Sequence, residues 1–342
     1  MKKSPLKITI LGLHYSPEPS GNAPYTTSLA EGLSAKGHDV RVLTGYPHYP
    51  GWRVHPGFRG WSQAEVMNGI RVKRLRHHVP HRPTGLKRLH MELSFGLRLL
   101  FSRWEQPDVV VLVSPALFST AIALVRARFG ARRPATAVWV QDLYSRGLVE
   151  TGQASGLGKL AARVEAGILG MADGVVAIHE RFARHIVDEL GLSPQDVQVI
   201  RNWTHLPTPP ETDRLATRKS LGWLDEETIV LHAGNMGKKQ GLENVVAAAK
   251  HASLIGSSTR FVLMGDGNQR PALMRSGQGI ANLTFIDPLP QAEFQAALSA
   301  ADVLTSERTA GCSRYVGAKQ IDLVFQYGSP RFGCHRRRQR HS

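Results

Sequence analysis

The sequence predicts an α/β protein built from two Rossmann-like domains with parallel sheets. Short apolar runs alternate with helical stretches from residue 7 to residue 200, and the same alternation restarts at residue 228. Strands that alternate with helices form parallel sheets through βαβ units. Between the two series, the stretch Leu206–Pro210 places three prolines in five residues. Such a stretch is typical of a linker, because proline interrupts both helices and inner strands.

Length and charge agree with two domains and an anionic partner. The chain has 342 residues, of which 42% are hydrophobic and 20% are charged, as in soluble globular proteins. Its formal net charge is +16, and seven basic residues against Asp322 place +6 of that charge after residue 308. This balance favours nucleic acid, an acidic membrane surface or a phosphorylated substrate as the partner.

Cysteine usage and hydropathy predict a cytoplasmic protein. The only two cysteines, Cys312 and Cys334, lie near the carboxyl end, so the preceding residues form no disulfide and no cysteine zinc site. The apolar run Leu6–Leu13 leads into a Gly/Pro/Ser loop without a cleavage site, which indicates a buried strand rather than a signal peptide. No window reaches 18 apolar residues, so we expect no membrane-spanning helix.

The first domain is predicted to cover residues 1–205. Its strands are expected at Lys7–Leu13, His38–Thr44, Gly69–Leu75, Asp108–Val113, Ala135–Val140, Gly174–Ile178 and Val197–Ile200. Its helices are expected from Pro24 to about Lys36 and over Leu86–Trp104, Leu117–Phe129, Leu157–Met171 and Arg181–Leu190.

Residues 206–225 are interpreted as a linker and lead-in segment, and residues 226–308 as a second domain. Its strands are expected at Thr228–His232, Arg260–Met264, Leu283–Ile286 and from Val303, and its helices at Leu242–Ala252, Arg270–Ser276 and Gln291–Ala300. In this architecture ligands bind at the carboxyl ends of the strands, here in a cleft between the domains.

Two glycine-rich turns follow strands of the second domain. The first, Gly234–Gly241, contains Asn235, Gly237, Lys238 and Lys239, and the second is Gly265–Gly267. Glycine lets the backbone approach a ligand closely, helix starts favour anions, and lysines add positive charge. Together the turns favour a nucleotide-sugar site; each alone is equally compatible with an ordinary strand-to-helix turn.

Candidate ligand residues of the first domain also follow predicted strands. Gly21 and Asn22 lie in the first loop, Asp142 follows the fifth strand, and Arg201 and Asn202 follow the seventh. At Gly21 and Asn22 the backbone could be approached closely by a sugar. The Asp142 carboxylate suits a sugar hydroxyl or a developing positive charge. The alternatives are a plain loop for the first pair, a helix cap for the carboxylate and a solvated side chain for the arginine.

Residues 71–104 combine dense positive charge with an apolar helix. Basic and histidine side chains are frequent up to His90, and leucines and phenylalanines follow. This composition favours peripheral contact with an anionic membrane or with a lipid-phosphate acceptor, with a core helix that has a solvated face as the alternative. The histidines are irregularly spaced and lack carboxylates, so no metal site is predicted.

Five segments resemble family-four glycosyltransferases of the GT-B fold, closest to the colanic-acid and O-antigen transferases. They are HYSPEPSGNAPYTTSLAEGLSAKGHDVRVLTGYPHYP, WVQDLYS, GNMGKKQGLENV, FVLMGDGNQRPAL and FIDPLPQAEFQAALSAADVL. The resemblance covers roughly residues 5 to 308. It implies retaining sugar transfer from a nucleotide diphosphate sugar, with no cofactor and no obligatory metal. It also implies a polyprenyl-linked or glycan acceptor at the inner face of the cytoplasmic membrane, in cell-surface polysaccharide or lipopolysaccharide biosynthesis.

Carried over by position, the resemblance assigns roles to individual residues. Its donor-binding residues are Gly234, Asn235, Gly237, Lys238, Lys239, Gly265, Gly267 and Glu307. Its acceptor or sugar-binding residues are Gly21, Asn22, Arg201 and Asn202, and Asp142 is the catalytic candidate. The chain departs from many relatives at Asn235, Gln240 and Gln141, where they carry arginine, lysine and histidine.

The basic tail, residues 309–342, departs further from the family. Reverse translation of Ser313–Ser342, read one base later, permits a segment that resembles the missing family sequence. We therefore expect an out-of-frame tail after a frameshift near Arg308, an incomplete second domain and impaired activity. The alternative function is a non-enzymatic basic protein that binds nucleic acid or anionic surfaces. No nucleic-acid-binding motif is visible, so nucleic acid is not the expected partner.

Overall fold

A computed structural model describes residues 4–18, 21–49, 51–82, 84–130, 132–145, 155–203 and 213–305. Contacts divide the chain into two compact units, Met1–His205 and Leu206–Ser342. The predicted α/β class with parallel sheets is confirmed. The tail after residue 305, and Glu307 with it, lies outside the described residues.

The first unit is an eight-stranded sheet in the order β3-β4-β2-β1-β5-β6-β7-β8. All neighbouring strands are parallel except the pair β3 and β4. The strands are β1 Lys7–Gly12, β2 Asp39–Gly45, β3 Ser62–Met67, β4 Ile70–Leu75, β5 Val109–Val113, β6 Ala135–Val140, β7 Gly174–Ala177 and β8 Val197–Val199. The antiparallel strand β3 was not predicted, because its polar sequence is mostly exposed.

Five α-helices of the first unit lie within the described residues. They are α1 Ala23–Ala35, α2 Gly85–Phe101, α3 Leu117–Phe129, α4 Ser155–Leu169 and α5 Glu180–Arg184, which continues as a π-helix over His185–Glu189. The described helices and strands share one apolar core, which includes Ile10, Val42, Leu112 and Val138. No helix in this part of the chain, or in the described part of the second unit, is long and apolar enough to cross a membrane.

Strand order places a topological switch point beside β1. The chain builds β1, β2 and β4 in one direction and β5 to β8 in the other. Because crossovers between parallel strands are right-handed, the two series send their helices to opposite faces of the sheet. A crevice therefore forms at the carboxyl ends of β1 and β5, which is where ligands bind in such sheets.

The second unit repeats this arrangement on a smaller scale. Its four parallel strands, in the order β11-β10-β9-β12, are β9 Thr228–Ala233, β10 Thr259–Met264, β11 Leu283–Ile286 and β12 Val303–Leu304. Its described helices are α6 Arg214–Ser220, α7 Glu243–Leu254, α8 Arg270–Ser276 and α9 Gln291–Ala300. The switch point lies between β9 and β12, so the turn after β9 occupies the ligand-binding position of this sheet.

Helix α6 falls within the segment interpreted as a linker and lead-in. Its Arg218 is 2% exposed and donates to the carbonyl oxygens of Ala300, Leu224, Asp225 and Glu227. The same guanidinium pairs with Asp302. The part of this segment that the structure describes is thus packed into the second unit.

Candidate donor and acceptor sites

The two glycine-rich turns of the second unit are in direct backbone contact. The N–H of Gly234 donates to Met264 O at 2.9 Å, and the N–H of Met236 donates to Asp266 O at 2.8 Å. The N–H of Gln269 in turn donates to Met236 O at 2.9 Å. These bonds fix the turn after β9 against the turn after β10. The two turns therefore form one continuous backbone surface at the carboxyl ends of the strands.

Glycine is required where these turns meet. Gly265 has φ +131°, and a Cβ there would lie 2.0 Å from the Gly234 carbonyl oxygen. Gly267 has φ +157°, and a Cβ there would lie 2.5 Å from Met236 O. The sequence analysis expected these glycines to let the backbone approach a ligand. In the structure they let the backbones of the two turns approach each other.

The second half of the first turn forms a short 3₁₀ helix, Lys238–Gln240, which ends shortly before α7 begins. The N–H groups of Asn244 and Val245, at the start of α7, already donate to Gly241 O and Leu242 O. The helix start that was expected to hold an anion is thus partly occupied by its own backbone. The exposed Asn235 and Lys238 side chains remain at the turn.

His232 lies buried in β9 directly before the turn. It is fully buried, and burial lowers its pKa from the ordinary value. A neutral imidazole supplies no positive charge. His232 therefore supplies no charge to an anion at this turn, whereas Lys238 is an exposed cation there.

In the first unit, Asn22 bridges the strands that flank the switch point. Its side-chain amide donates to Ser114 O at 3.0 Å, directly after β5, and Asn22 is only 6% exposed. Its Oδ1 is buried without a hydrogen-bond partner among the described residues. The adjacent Gly21 adopts φ +71°. Asn22 thus holds the loop in place and leaves one acceptor atom unused.

Ser114 extends this bridge to β6. Its hydroxyl accepts from the N–H of Gln141 at 3.1 Å and donates to Asp142 O at 3.0 Å. The Asp142 side chain is exposed, and its Oδ1 accepts from the N–H of Leu143 at 2.9 Å. The sequence analysis did not single out Ser114, although its position directly after a buried strand was a usable signal.

Gln141 and Asn202 form a reciprocal amide pair between β6 and β8. Gln141 Nε2 donates to Asn202 Oδ1 at 3.0 Å, and Asn202 Nδ2 donates to Gln141 Oε1 at 2.9 Å. Arg201 instead makes an exposed 2.7 Å ion pair with Glu180. The structure therefore joins Asn22, Asp142 and Asn202 in one network through Ser114 and Gln141, and it leaves Arg201 outside that network.

One group in the described residues has the spacing of metal ligands, namely His14, Glu18 and His48. Glu18 Oε1 accepts from the N–H groups of His48 and Tyr49 at 2.7 and 2.8 Å, and Oε2 lies 2.6 Å from His14 Nδ1. Burial opposes ionisation of Glu18, but these hydrogen bonds outweigh it and lower its pKa. The carboxylate thus fastens the loop after β1 to the loop after β2.

Comparisons with known proteins identify the family of this chain. Residues 20–203 match the family described as glycosyl transferase 4-like domain. WcaI of Escherichia coli K12, a glycosyl transferase assigned to colanic acid biosynthesis, is 32% identical over 296 residues, which are 82% of this chain and 71% of WcaI.

Two solved structures share the fold at low sequence identity. The catalytic domain of starch synthase IV from Arabidopsis thaliana, bound to ADP and acarbose, superposes with a TM-score of 0.69 and 14% identity over 95% of this chain and 82% of that chain. Anabaena Alr3699/HepE in complex with UDP-glucose superposes with a TM-score of 0.62 and 15% sequence identity. The match covers 88% of this chain and 74% of that chain. These likenesses confirm the predicted GT-B class.

Proposed function

The chain belongs to the glycosyl transferase 4-like family, and we propose that it moves a sugar, with retention, from a nucleotide diphosphate sugar to a lipid-linked or polysaccharide acceptor. It is a glycosyltransferase of cell-surface polysaccharide biosynthesis, and nothing favours the non-enzymatic alternative. The observation that carries the donor assignment is the joined pair of glycine turns at the switch point of the second sheet.

The proposed donor site uses backbone and lysines. Gly234, Asn235 and Gly237 border the diphosphate, with Lys238 and Lys239 supplying the charge, and Gly265 and Gly267 border the nucleotide. Ammonium groups at this position neutralise the leaving diphosphate, which is the role a metal has in other transferases. We therefore propose that no metal is obligatory. HepE in complex with UDP-glucose and starch synthase IV bound to ADP share the fold, and their ligands support a nucleotide-containing donor for this chain.

The proposed acceptor side is the first unit. The loop with Gly21 and Asn22 and the network that includes Asp142 and Asn202 lie at the carboxyl ends of β1, β5, β6 and β8. The unpaired Asn22 Oδ1 is an acceptor for a sugar hydroxyl. Asp142, exposed at the end of β6, is placed to stabilise positive charge as the glycosidic bond breaks.

We further propose that helix α2 contacts an anionic membrane, which would place the enzyme at the cytoplasmic face. The structure gives α2 two apolar faces. Met91, Phe95 and Leu99 are buried in the core, while four others at spacings of seven and four residues share a solvent face: Leu86 82% exposed, Leu93 38%, Leu97 51% and Phe101 82%. Exposed Lys87 and Arg88 and the nearby Arg103 suit anionic headgroups.

A thermal-shift screen of the full chain tests the donor assignment. UDP-, GDP-, ADP- and dTDP-sugars are compared with the corresponding free sugars at equal concentration. A ligand that binds only the folded state raises the melting temperature, so at least one nucleotide diphosphate sugar is expected to do so and its free sugar is not. Equal shifts for all ligands, or none, would contradict the proposal.

A further inference from the structure

His14, Glu18 and His48 form a compact cluster in the loops that follow β1 and β2. Each side chain offers one nitrogen or oxygen atom, and these atoms lie within 4.8 Å of one another. Two ligands that each lie about 2.1 Å from a tetrahedral zinc ion are roughly 3.4 Å apart. Modest side-chain rotations therefore bring the three groups into coordination distance. The sequence analysis did not predict the cluster, because Glu18 and His48 are 30 residues apart in the chain.

The Glu18 carboxylate has no lysine or arginine beside it. Its side chain is 2% exposed, and its ion-pair partners within the described residues are the two histidines alone. Oε1 accepts from the backbone N–H groups of His48 and Tyr49, and Oε2 lies 2.6 Å from His14 Nδ1. A carboxylate that is removed from water in this way is stabilised by a cation bound against it.

His48 contains a buried imidazole lone pair that no other described group uses. Its Nδ1 lies 2.9 Å from Tyr46 O, and this nitrogen carries the proton because a carbonyl oxygen only accepts. Its Nε2 is buried without a hydrogen-bond partner in the part of the chain that the structure describes. A histidine whose second nitrogen is held by a backbone carbonyl has the usual arrangement of a metal ligand. The neighbouring His77, with its ring centroid 4.9 Å away, also has a buried and unpartnered Nε2.

The cluster is enclosed on most sides and open at His14. The His14 side chain is 18% exposed, whereas those of Glu18 and His48 are nearly or fully buried. Tyr49 meets the His14 ring edge-on at 5.6 Å, and Trp52 meets the His48 ring edge-on at 5.9 Å. An aromatic shell of this kind limits the access of water to a metal site. An ion can thus enter at His14 and keep a coordination position for a water molecule.

We propose that His14, Glu18 and His48 bind a zinc ion, which joins the loop after β1 to the loop after β2. Two imidazoles and one carboxylate are a ligand set that zinc forms in proteins, with a fourth position left to water. Imidazole nitrogens favour zinc over magnesium and calcium, which prefer oxygen ligands. The ion replaces the proton shared by His14 Nδ1 and Glu18 Oε2, and the His14 ring stays neutral by carrying its proton on Nε2.

The proposed ion has a structural role, and the inference goes beyond the proposed function. All three ligands belong to the first unit, whereas the glycine turns proposed to hold the donor diphosphate belong to the second unit. The proposal that sugar transfer needs no obligatory metal is therefore unaffected. What the ion supplies is a link between two loops at the carboxyl ends of neighbouring parallel strands.

Zinc binding to the metal-free full chain tests the proposal. The protein is treated with EDTA and desalted, and its affinity for Zn²⁺ is measured by competition with a chromophoric chelator. One bound ion per chain and a higher melting temperature are expected, because a ligand of the folded state stabilises that state. His14→Gln is expected to weaken binding at least about tenfold, since even loss of an outer-shell partner costs that much. His55→Gln, at an exposed position in the loop after β2, is the control and should bind within twofold of wild type.

Glu18→Gln separates metal binding from the structural hydrogen bonds of Glu18. The variant keeps a side-chain oxygen for the N–H groups of His48 and Tyr49 and loses the carboxylate charge. It is expected to unfold in one cooperative transition, as wild type does, and to lose zinc affinity at least about tenfold. A melting temperature that zinc raises equally in Glu18→Gln and in wild type would contradict the assignment.

Two other groups of the chain could take up zinc, and each has its own variant. They are the cysteine pair Cys312 and Cys334, and the stacked rings of His78 and His90, whose centroids are 4.3 Å apart. Cys312→Ser/Cys334→Ser and His78→Gln are both expected to keep the zinc affinity of wild type. Cobalt(II) substitution gives a second readout, because a cysteine ligand adds a thiolate-to-cobalt charge-transfer band that histidine and carboxylate ligands do not.

Any of four results would overturn the proposal. Wild type binds no zinc, the His14 variant binds it as tightly as the His55 control, or binding is lost in the cysteine or His78 variant. The fourth is a zinc-dependent thermal shift that occurs only when a nucleotide sugar is present, which would assign the ion to the donor diphosphate. The nucleotide-sugar shift is recorded for every variant in EDTA, so failure of the zinc site is distinguishable from failure of the transferase function.

Discussion

A side chain at residue 265 would place its Cβ 2.0 Å from the carbonyl oxygen of Gly234. Both residues follow neighbouring strands of the second sheet, and the N–H of Gly234 donates to Met264 O, the residue before Gly265. The contact leaves no room for any side chain at position 265. The proposed donor surface therefore depends on a backbone-to-backbone contact that only glycine permits.

Gly265→Ala is expected to lower the free energy of unfolding by at least about 2 kcal/mol, since it adds left-handed backbone strain to a steric clash. It should also abolish the thermal shift given by the nucleotide sugar. Gly32→Ala is the control, because its Cβ would meet nothing within 4 Å in helix α1, where alanine is favoured over glycine. Urea unfolding of both variants measures the effect, and equal midpoints would contradict the steric account.

A buried carboxyl on α2 predicts a pH-dependent stability. Glu92 is 5% exposed, and burial raises its pKa to about 7, although Glu92 Oε2 accepts from the N–H of Phe118 at 3.0 Å. A carboxyl whose folded pKa exceeds its unfolded value of 4.5 stabilises the fold below that unfolded value. This contribution is then lost as the pH rises to about 7.

Glu92→Gln keeps an acceptor for Phe118 and removes this dependence. The variant is expected to match the stability of wild type near pH 4 and to be more stable by about 3 kcal/mol at pH 8. This figure is the difference between the folded and unfolded pKa of Glu92, converted at about 1.4 kcal/mol per pKa unit. Denaturant unfolding across this range gives the difference, with Glu226→Gln as the exposed control. A difference that stays constant from pH 4 to pH 8 would show that Glu92 is ionised at no cost.

The reciprocal amide pair predicts energetic coupling between β6 and β8. Gln141 is 4% exposed, so Asn202→Ala leaves its amide without the only side-chain partner that the described residues provide. Each single alanine variant is expected to cost about 1–3 kcal/mol, and the double variant less than their sum. Arg201→Ala, which loses only an exposed ion pair, should leave the unfolding midpoint nearly unchanged. Simple additivity in the double-mutant cycle would exclude the coupling.

The exposed stripe of α2 predicts binding to anionic vesicles. Leu97→Gln/Phe101→Gln is expected to reduce co-sedimentation with phosphatidylglycerol vesicles several-fold, because it removes apolar surface that would enter the headgroup region. Leu254→Gln removes a leucine that is 77% exposed in the second unit and should have no effect. Wild-type binding that persists in 1 M salt and on neutral vesicles would argue against the electrostatic part of the contact.

The sequence predicted strands well where they are buried and poorly where they are not. Runs such as Val109–Val113 carry the apolar signature of a parallel strand buried on both faces. Strand β3 lacks it, because SQAEVM is largely exposed at the sheet edge. Helix α6 was missed for a different reason: its buried residue is Arg218, and a buried arginine contradicts the binary pattern that predicts helices.

The sequence analysis chose candidate site residues because they follow predicted strands, but it did not predict their hydrogen-bond partners. Asn22 and Asn202 were expected to contact ligand because they follow strands. Their actual partners, Ser114 and Gln141, lie 92 and 61 residues away in the chain. Local sequence does not specify such long-range pairing, which the strand order decides. The glycine turns were predictable, because strand, turn and helix follow one another directly.

The most direct test of the donor site is a calorimetric titration with the nucleoside diphosphate of the sugar found in the thermal-shift screen. Wild type, Lys238→Gln and Lys219→Gln are compared; Lys219 is an exposed lysine on α6 and controls for charge. Loss of a charged contact to the diphosphate is expected to weaken binding by Lys238→Gln about tenfold or more, while Lys219→Gln stays within twofold of wild type. Equal affinity for Lys238→Gln and wild type would contradict a diphosphate site at this turn.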